Sequence, residues 1–336
     1  MPNKLRWGVL STAKIALTKV LPGMQQGEQT EIAAIASRDL DKALQAAARL
    51  GIARAYGSYE ELLADAEIDA IYNPLPNHLH LPWTIRAAEA GKHVLCEKPI
   101  GLNVAEVRQL IAVREQTGVQ IAEAFMIRCH PQWLRVRALL NEGRIGQLRS
   151  FSGIFSYNNQ DHQNIRNIAA YGGGGLYDIG CYLVQAARFT FGAEPRRVAS
   201  LLERDPQLKI DRLSSALLDF EGGQATLTCS TQILRHQRVV LLGTTGRIEI
   251  EIPFNAGPDQ PVRILIDNSG ELDGSSTQVE TIPAADQYML QGEAFARAVR
   301  GEGTVPVPLE DSLGTMATLD ALFRSAQTGQ WEAPHA

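Results

Sequence analysis

Through the first third of the chain, short apolar runs alternate with amphipathic stretches of helical period. The runs cover Leu5–Leu10, 31–37, 68–73, 93–101 and 120–124. Their apolar residues are continuous rather than alternating, which is how strands buried on both faces read. Between them, a helix is expected over Leu40–Leu50, started by Asp39 and closed by Gly51. Ser58-Tyr59-Glu60-Glu61 has the form of a capping box. Pro82 suits the first turn of a helix ending near Gly91, and Asn103 with Glu106 caps the next one. Strands alternating with helices predict a doubly wound parallel sheet.

Beyond residue 123 the pattern changes to β-type alternation. Strands are expected over 148–157, 197–203, 214–220, 225–233, 239–242, 247–252, 262–267 and 277–282. Tight turns at Glu221-Gly222-Gly223 and Thr244-Thr245-Gly246 make neighbouring strands antiparallel. Helices are expected over 131–141, 175–191 and 287–300, with a long last one over Leu309–Thr328. The fold class is therefore α/β: an N-terminal Rossmann sheet, then an α+β domain with a large, mostly antiparallel open sheet. The expected division is 1–123 for dinucleotide binding, 124–306 for substrate binding and oligomerisation, and 307–336 for a helix packing back on the first domain. A sheet with one uncovered face invites pairing with a second copy, so a homodimer or homotetramer is expected.

Composition narrows the function. With 336 residues, 45% hydrophobic and 21% charged, the chain has the make-up of an ordinary two-domain globular protein. A net charge of −5 offers no footprint for nucleic acid. No apolar run is long enough to span a bilayer, and Met1-Pro2-Asn3-Lys4-Leu5-Arg6 leads into a strand rather than an export segment. Cys96, Cys129, Cys181 and Cys229 lack metal-type spacing and read as free thiols of a cytoplasmic protein. His78 and His80 have no third ligand cluster, so no metal is expected.

Three stretches carry chemistry. The first is the βα turn Ser11-Thr12-Ala13-Lys14-Ile15, which occupies the place of a glycine-rich pyrophosphate turn, with small residues at Ser11, Ala13 and Ala16. At the end of the next strand, where an NAD site normally has an acid, stand Ser37 and Arg38. A hydroxyl and a guanidinium suit a 2′-phosphate, so NADP is preferred over NAD. The second stretch, His93 to Gly101, ends a buried strand in Glu97-Lys98-Pro99, at the sheet edge where open α/β folds bind ligands. Proline stiffens the backbone that presents Lys98, and the Lys98–Pro99 bond is a candidate for the cis form. The third is Tyr171-Gly172-Gly173-Gly174-Gly175 followed by Asp178 and Tyr182. Four apart on a helix, this carboxylate and phenol share one face, suited to binding a polyol and exchanging a proton with it. Ordinary helix-start electrostatics and core packing would also account for that pair.

Taken together these segments resemble the glucose–fructose oxidoreductase / inositol dehydrogenase (Gfo/Idh/MocA) family of NAD(P)-dependent sugar oxidoreductases. The likeness lies in the turn from Gly8 to Ala16, Leu75-Pro76-Asn77 with His80, Gly91-Lys92-His93 through Pro99, and Gly173 through Tyr182. It extends to the last helix. The resemblance implies that Leu75, Asn77, His80, Glu97 and Lys98 border the cofactor together with the βα turn, Ser37 and Arg38. It also implies that Lys98, Asp178 and Tyr182 form the catalytic set, with Arg166 and Asn158 as further sugar contacts. The Asn158 to Asn167 segment suggests the aldose-oxidising branch, of xylose or glucose type. Ketosugar or 1,5-anhydrofructose reductase, trans-dihydrodiol dehydrogenase, exchange through a retained cofactor and a non-catalytic sensor are the alternatives. The chemistry is coherent. An ammonium about 4 Å from a phenol, at an effective dielectric of about 20, favours the phenolate by on the order of 4 kcal/mol. Lowering a phenol from ~10 to ~7.5 takes roughly 3.4 kcal/mol.

Overall fold

In the computed structural model, which describes residues 4–336, six parallel strands form the sheet of the first unit. They are β1 (Leu5–Leu10), β2 (Thr30–Ala36), β3 (Arg54–Tyr56), β4 (Ala70–Asn73), β5 (His93–Glu97) and β6 (Ile121–Ala124). Met1, Pro2 and Asn3, where the reading of the N-terminus begins, lie outside the described residues. The strand order β3-β2-β1-β4-β5-β6 reverses direction between β1 and β4. That reversal opens a crevice at the carboxyl ends of the strands. The expected caps are in place: Asp39 accepts from Lys42 N, Ser58 from Glu61 N and Asn103 from Glu106 N. Only β3 went unforeseen; three half-buried residues are too short for a periodic signal.

The first unit comprises residues 4–129 together with Asp286–Leu313. Its late segment returns through the helix Gln287–Val299, whose Phe295 packs on Trp7 at 5.1 Å between ring centroids. Both rings are fully buried, and truncating either to alanine is expected to cost about 3–5 kcal/mol. This placement differs from the expected division at 123 and 306. The last helix, Leu309–Thr328, differs too: residues 309–313 belong to the first unit and the remainder to the second. Glu310 and Asp311 pair with Arg114 and Arg128 in the first unit, whereas Thr315 and Ser325 bond Arg188 and Ser200 in the second.

The second unit is built on eight strands: β7 (Leu148–Asn158), β8 (Arg197–Arg204), β9 (Asp211–Phe220), β10 (Gly223–Ser230), β11 (Gln232–Gly243), β12 (Arg247–Ile250), β13 (Val262–Asp267) and β14 (Gln278–Ile282). Their order is β14-β13-β12-β11-β7-β10-β9-β8. Both predicted hairpins form, β9 with β10 and β11 with β12. The expected strand over 225–233 is two strands. The chain crosses the end of β7 at Thr231, whose carbonyl accepts from Asn159 N, so β10 runs parallel to β7 and β11 antiparallel to it. One face of the sheet is buried through Phe151, Phe155, Leu218, Ala225, Leu241 and Ile264. Leu201, Leu217 and Leu242 are exposed on the other. The expected helix over 175–191 begins as a wide π-type turn, Leu176–Gly180, before continuing as Cys181–Phe191.

Candidate active site

In the first unit, β5 delivers Glu97 and Lys98 to the carboxyl edge of the sheet. The Lys98–Pro99 bond is cis. The loop is tied at three points. Tyr72 Oη donates to Glu97 Oε1 at 2.6 Å, Ile100 N donates to Glu123 Oε1 at 2.9 Å, and His80 Nδ1 lies 2.7 Å from the Pro99 carbonyl. The other ring nitrogen of His80, Nε2, lies 2.6 Å from the Leu75 carbonyl. Both partners only accept, so each contact asks for an N–H on the ring. A neutral ring, which burial favours by pushing the pKa down to about 4, donates to just one of them. His80 is 1% exposed. It therefore bears on the expected nucleotide site through the two loops it joins, not as an open ligand. Leu75 is buried and Asn77 half-buried.

At the β1 turn, Ser11 adopts a left-handed conformation, φ 82°, where a glycine is usual. Its amide donates to Ala36 O at 2.9 Å, and its hydroxyl accepts from Ala13 N at 3.3 Å. Ser11, Thr12, Ala13 and Ile15 are half-buried, Lys14 is exposed and Ala16 is fully buried. After β2, Ser37 Oγ accepts from Asp39 N, and Asp39 spends its carboxylate on Lys42 N, a bond that lowers its pKa. The acid nearest the end of β2 is thus committed to a helix, while the Arg38 side chain is exposed. These features fit a dinucleotide. Small residues line a turn beside the point where strand order reverses, and a cation rather than a free acid follows β2.

The second unit assembles a polar cluster around Asp178, which is 8% exposed. One carboxylate oxygen accepts from Arg166 Nε at 3.0 Å, and the other accepts from the Tyr157 hydroxyl. Burial, and next the Asp178 charge, raise the Tyr157 pKa, so the phenol is a donor here. Arg166 is held by a short turn over Ile165–Asn167, and Gly174 N donates to its carbonyl at 2.9 Å. Tyr182 follows on the same segment, its ring packed on Phe155 at 5.9 Å and Phe254 at 5.6 Å. Asn158 is exposed and accepts from Gln160; it does not join the Asp178 cluster. Tyr157 was missed from sequence, though Phe155 and Tyr157 are two apart on β7 and so share a face. A cleft of about 390 Å³ behind the glycine loop is bordered by Gly172, Tyr177, Lys209 and Arg324, but by neither Asp178 nor Tyr182.

Among the described residues, no group of three His, Cys, Asp or Glu could hold a metal ion, all four cysteines are free thiols, and no helix is long and apolar enough to cross a membrane.

The model of the oxidoreductase family with an NAD-binding Rossmann fold (GFO/IDH/MocA) matches residues 5–125, and that of the GFO/IDH/MocA C-terminal domain matches 133–249. An uncharacterised oxidoreductase of Rhizobium meliloti is 51% identical over 98% of both chains. D-xylose 1-dehydrogenase (NADP(+)) 2 of Haloferax volcanii is 38% identical, over 97% of this chain and 98% of that one. A 3-ketoreductase from Actinomadura kijaniata, solved with NADP and TDP-benzene, superposes with a TM-score of 0.90 at 33% identity, over 96% of this chain and 98% of its own. Solved forms of that ketoreductase include one with a lysine replaced by alanine and one with a tyrosine replaced by phenylalanine (TM-scores 0.86 and 0.90). The two residues are separated along its chain as Lys98 and Tyr182 are here.

Proposed function

The chain belongs to the GFO/IDH/MocA family of NAD(P)-dependent oxidoreductases, and from that premise we propose that it oxidises an aldose of xylose or glucose type at its first carbon, with NADP preferred. The observation that carries this reading is the Asp178 cluster, a buried carboxylate oriented by Arg166 and Tyr157 one turn before a phenol. A carboxylate so held is an oriented acceptor for a sugar hydroxyl. The preference for NADP is supported by Arg38 after β2 and by the committed carboxylate of Asp39. Ser11, Thr12, Ala13, Lys14, Ile15, Ser37, Leu75, Asn77 and Glu97 would border the nucleotide with Lys98.

A nicotinamide held beside Lys98 would supply the acceptor for the hydride of the sugar carbon, and the donor in the reverse direction. Tyr182 takes the hydroxyl proton as that C–H bond breaks, and the carbon becomes a carbonyl. Lys98 would anchor the same oxygen through its charge. Asp178 orients the sugar, with Arg166 as a further contact. The exposed leucines on the open sheet face favour a homodimer or homotetramer through that face, and the four free thiols suit a cytoplasmic protein.

A second reading, reduction of a nucleotide-linked ketosugar, is favoured by relatives named dTDP-3,4-didehydro-2,6-dideoxy-alpha-D-glucose 3-reductase, one of which is 34% identical over 97% of this chain. One assay separates the two. The purified chain is mixed with NADP or NAD and a panel of aldoses, and reduced nicotinamide is followed by absorbance; a nucleotide-linked ketosugar is then offered with NADPH. Turnover of pentoses or hexoses supports the aldose reading. Turnover only of the ketosugar replaces it, and no turnover with either, in the presence of bound nucleotide, points to a sensor.

A further inference from the structure

Asp211 opens β9, is 2% exposed, and has no part in the chemistry described above. Its Oδ2 accepts from Leu176 N at 2.6 Å and from Ser214 Oγ at 3.2 Å. Leu176 is the first residue of the wide turn that carries Asp178, and its amide is one of those a helix start leaves without an internal partner. The carboxylate also presses on the glycine run. Gly174 has φ 125°, and a Cβ there would lie 2.0 Å from Asp211 Oδ1. A Cβ on Gly175 would lie 3.4 Å from Oδ2, and one on Gly173 would lie 2.5 Å from the Arg166 carbonyl. The glycines are therefore not slack in the chain. They let two polar groups, the Asp211 carboxylate and the Arg166 backbone, approach the segment before it turns toward Asp178.

We propose that Asp211 is a positioning residue: by holding the Leu176 amide it fixes residues 174–182, and so sets where Asp178 and Tyr182 meet the substrate. This rests on the reading that those two residues handle the sugar, and it adds a requirement outside their own contacts. A displacement of about 1 Å at a reacting group costs roughly 100-fold in rate.

The test compares Asp211→Ala, Asp211→Asn and Gly174→Ala in the full chain, by steady-state kinetics, NADP titration and amide hydrogen exchange over 174–182. Asp211→Ala is expected to open those amides to exchange and lower kcat/KM for the sugar by about 100-fold, with NADP affinity held. Asp211→Asn keeps an oxygen acceptor for Leu176 N and is expected to recover most of both losses. Gly174→Ala, which drives a Cβ into the carboxylate, should copy Asp211→Ala, and serves where that variant does not fold. Wild-type exchange over 174–182 in Asp211→Ala and Gly174→Ala would overturn the proposal. So would a loss of NADP affinity in step with turnover, which marks general destabilisation. If Tyr182→Phe keeps its rate while Asp211→Ala still opens the segment and slows turnover, the role given to the tyrosine falls and the anchor stands.

Discussion

The Tyr157 hydroxyl donates to the carboxylate of Asp178, across the gap between a strand end and the turn that follows the glycine run. With Arg166 on the other oxygen, the carboxylate has one orientation rather than several. Tyr157→Phe removes the donor and leaves the ring, so packing is kept while Asp178 loses a tie. A hydrogen bond to a charged group is worth about 1.5–3 kcal/mol, so kcat/KM for the sugar should fall by roughly 10- to 100-fold. The thermal midpoint should fall by only a few degrees, because the same bond also contributes to the folded state. A wild-type kcat/KM in Tyr157→Phe would remove the bond from the functional account.

Lys98 and Tyr182 should fail in a different way. Lys98→Ala and Tyr182→Phe each take away one half of the proposed proton-transfer pair, and general acid–base catalysis contributes about 100- to 10,000-fold. Turnover should drop within that range in each variant, with NADP still bound. The double variant should be little worse than either single one, because neither group works without its partner. Fully additive losses in that cycle would separate the two residues.

Arg38 offers a test of cofactor choice that leaves the catalytic groups alone. Its guanidinium follows β2 in the place where an NAD-selective site has an acid, and the adjacent Asp39 is tied to Lys42 N. Arg38→Ala should weaken NADP binding by about 10- to 100-fold, the worth of one charge-assisted phosphate contact, and leave NAD almost unaffected. Titration of both nucleotides by intrinsic fluorescence reads the ratio. Equal losses for the two would assign Arg38 to folding rather than to the 2′-phosphate.

The strands over Leu5–Leu10 and His93–Glu97 were legible because a strand buried on both faces is written locally, as a continuous apolar run. Asp39, Ser58 and Asn103 were legible for the same reason, since a cap and its amide lie within three residues of each other. The break at Thr231 was not. Residues on both sides have strand character, and only pairing with distant β7 decides that the chain crosses there. Tyr157 and Asp211 were hidden by the same limit: each meets the segment after the glycine run from a strand remote in sequence. The two carbonyl partners of His80, those of Leu75 and Pro99, are likewise backbone atoms that no residue pattern displays.

Asp211 makes the last prediction, because burial raises its pKa to about 6 against an ordinary carboxyl value near 4, despite the bonds from Leu176 N and Ser214. Arg204 favours the charged form more weakly, and the buried Cys229 thiol lies close by. The folded state therefore holds this proton more tightly than the unfolded chain does, so between about pH 4 and 6 stability falls as pH rises. A shift of about two units corresponds to on the order of 3 kcal/mol, present below that window and lost above it. Asp211→Asn carries no proton to lose, so this part of the pH dependence should vanish from its urea unfolding curves. Above pH 6 the variant should match or exceed the parent in stability while keeping most of its turnover. That combination, a charge that costs stability while its acceptor oxygen carries the positioning role, is what the bond from Leu176 N requires. An unchanged slope between pH 4 and 6 in Asp211→Asn would assign the titration to another group.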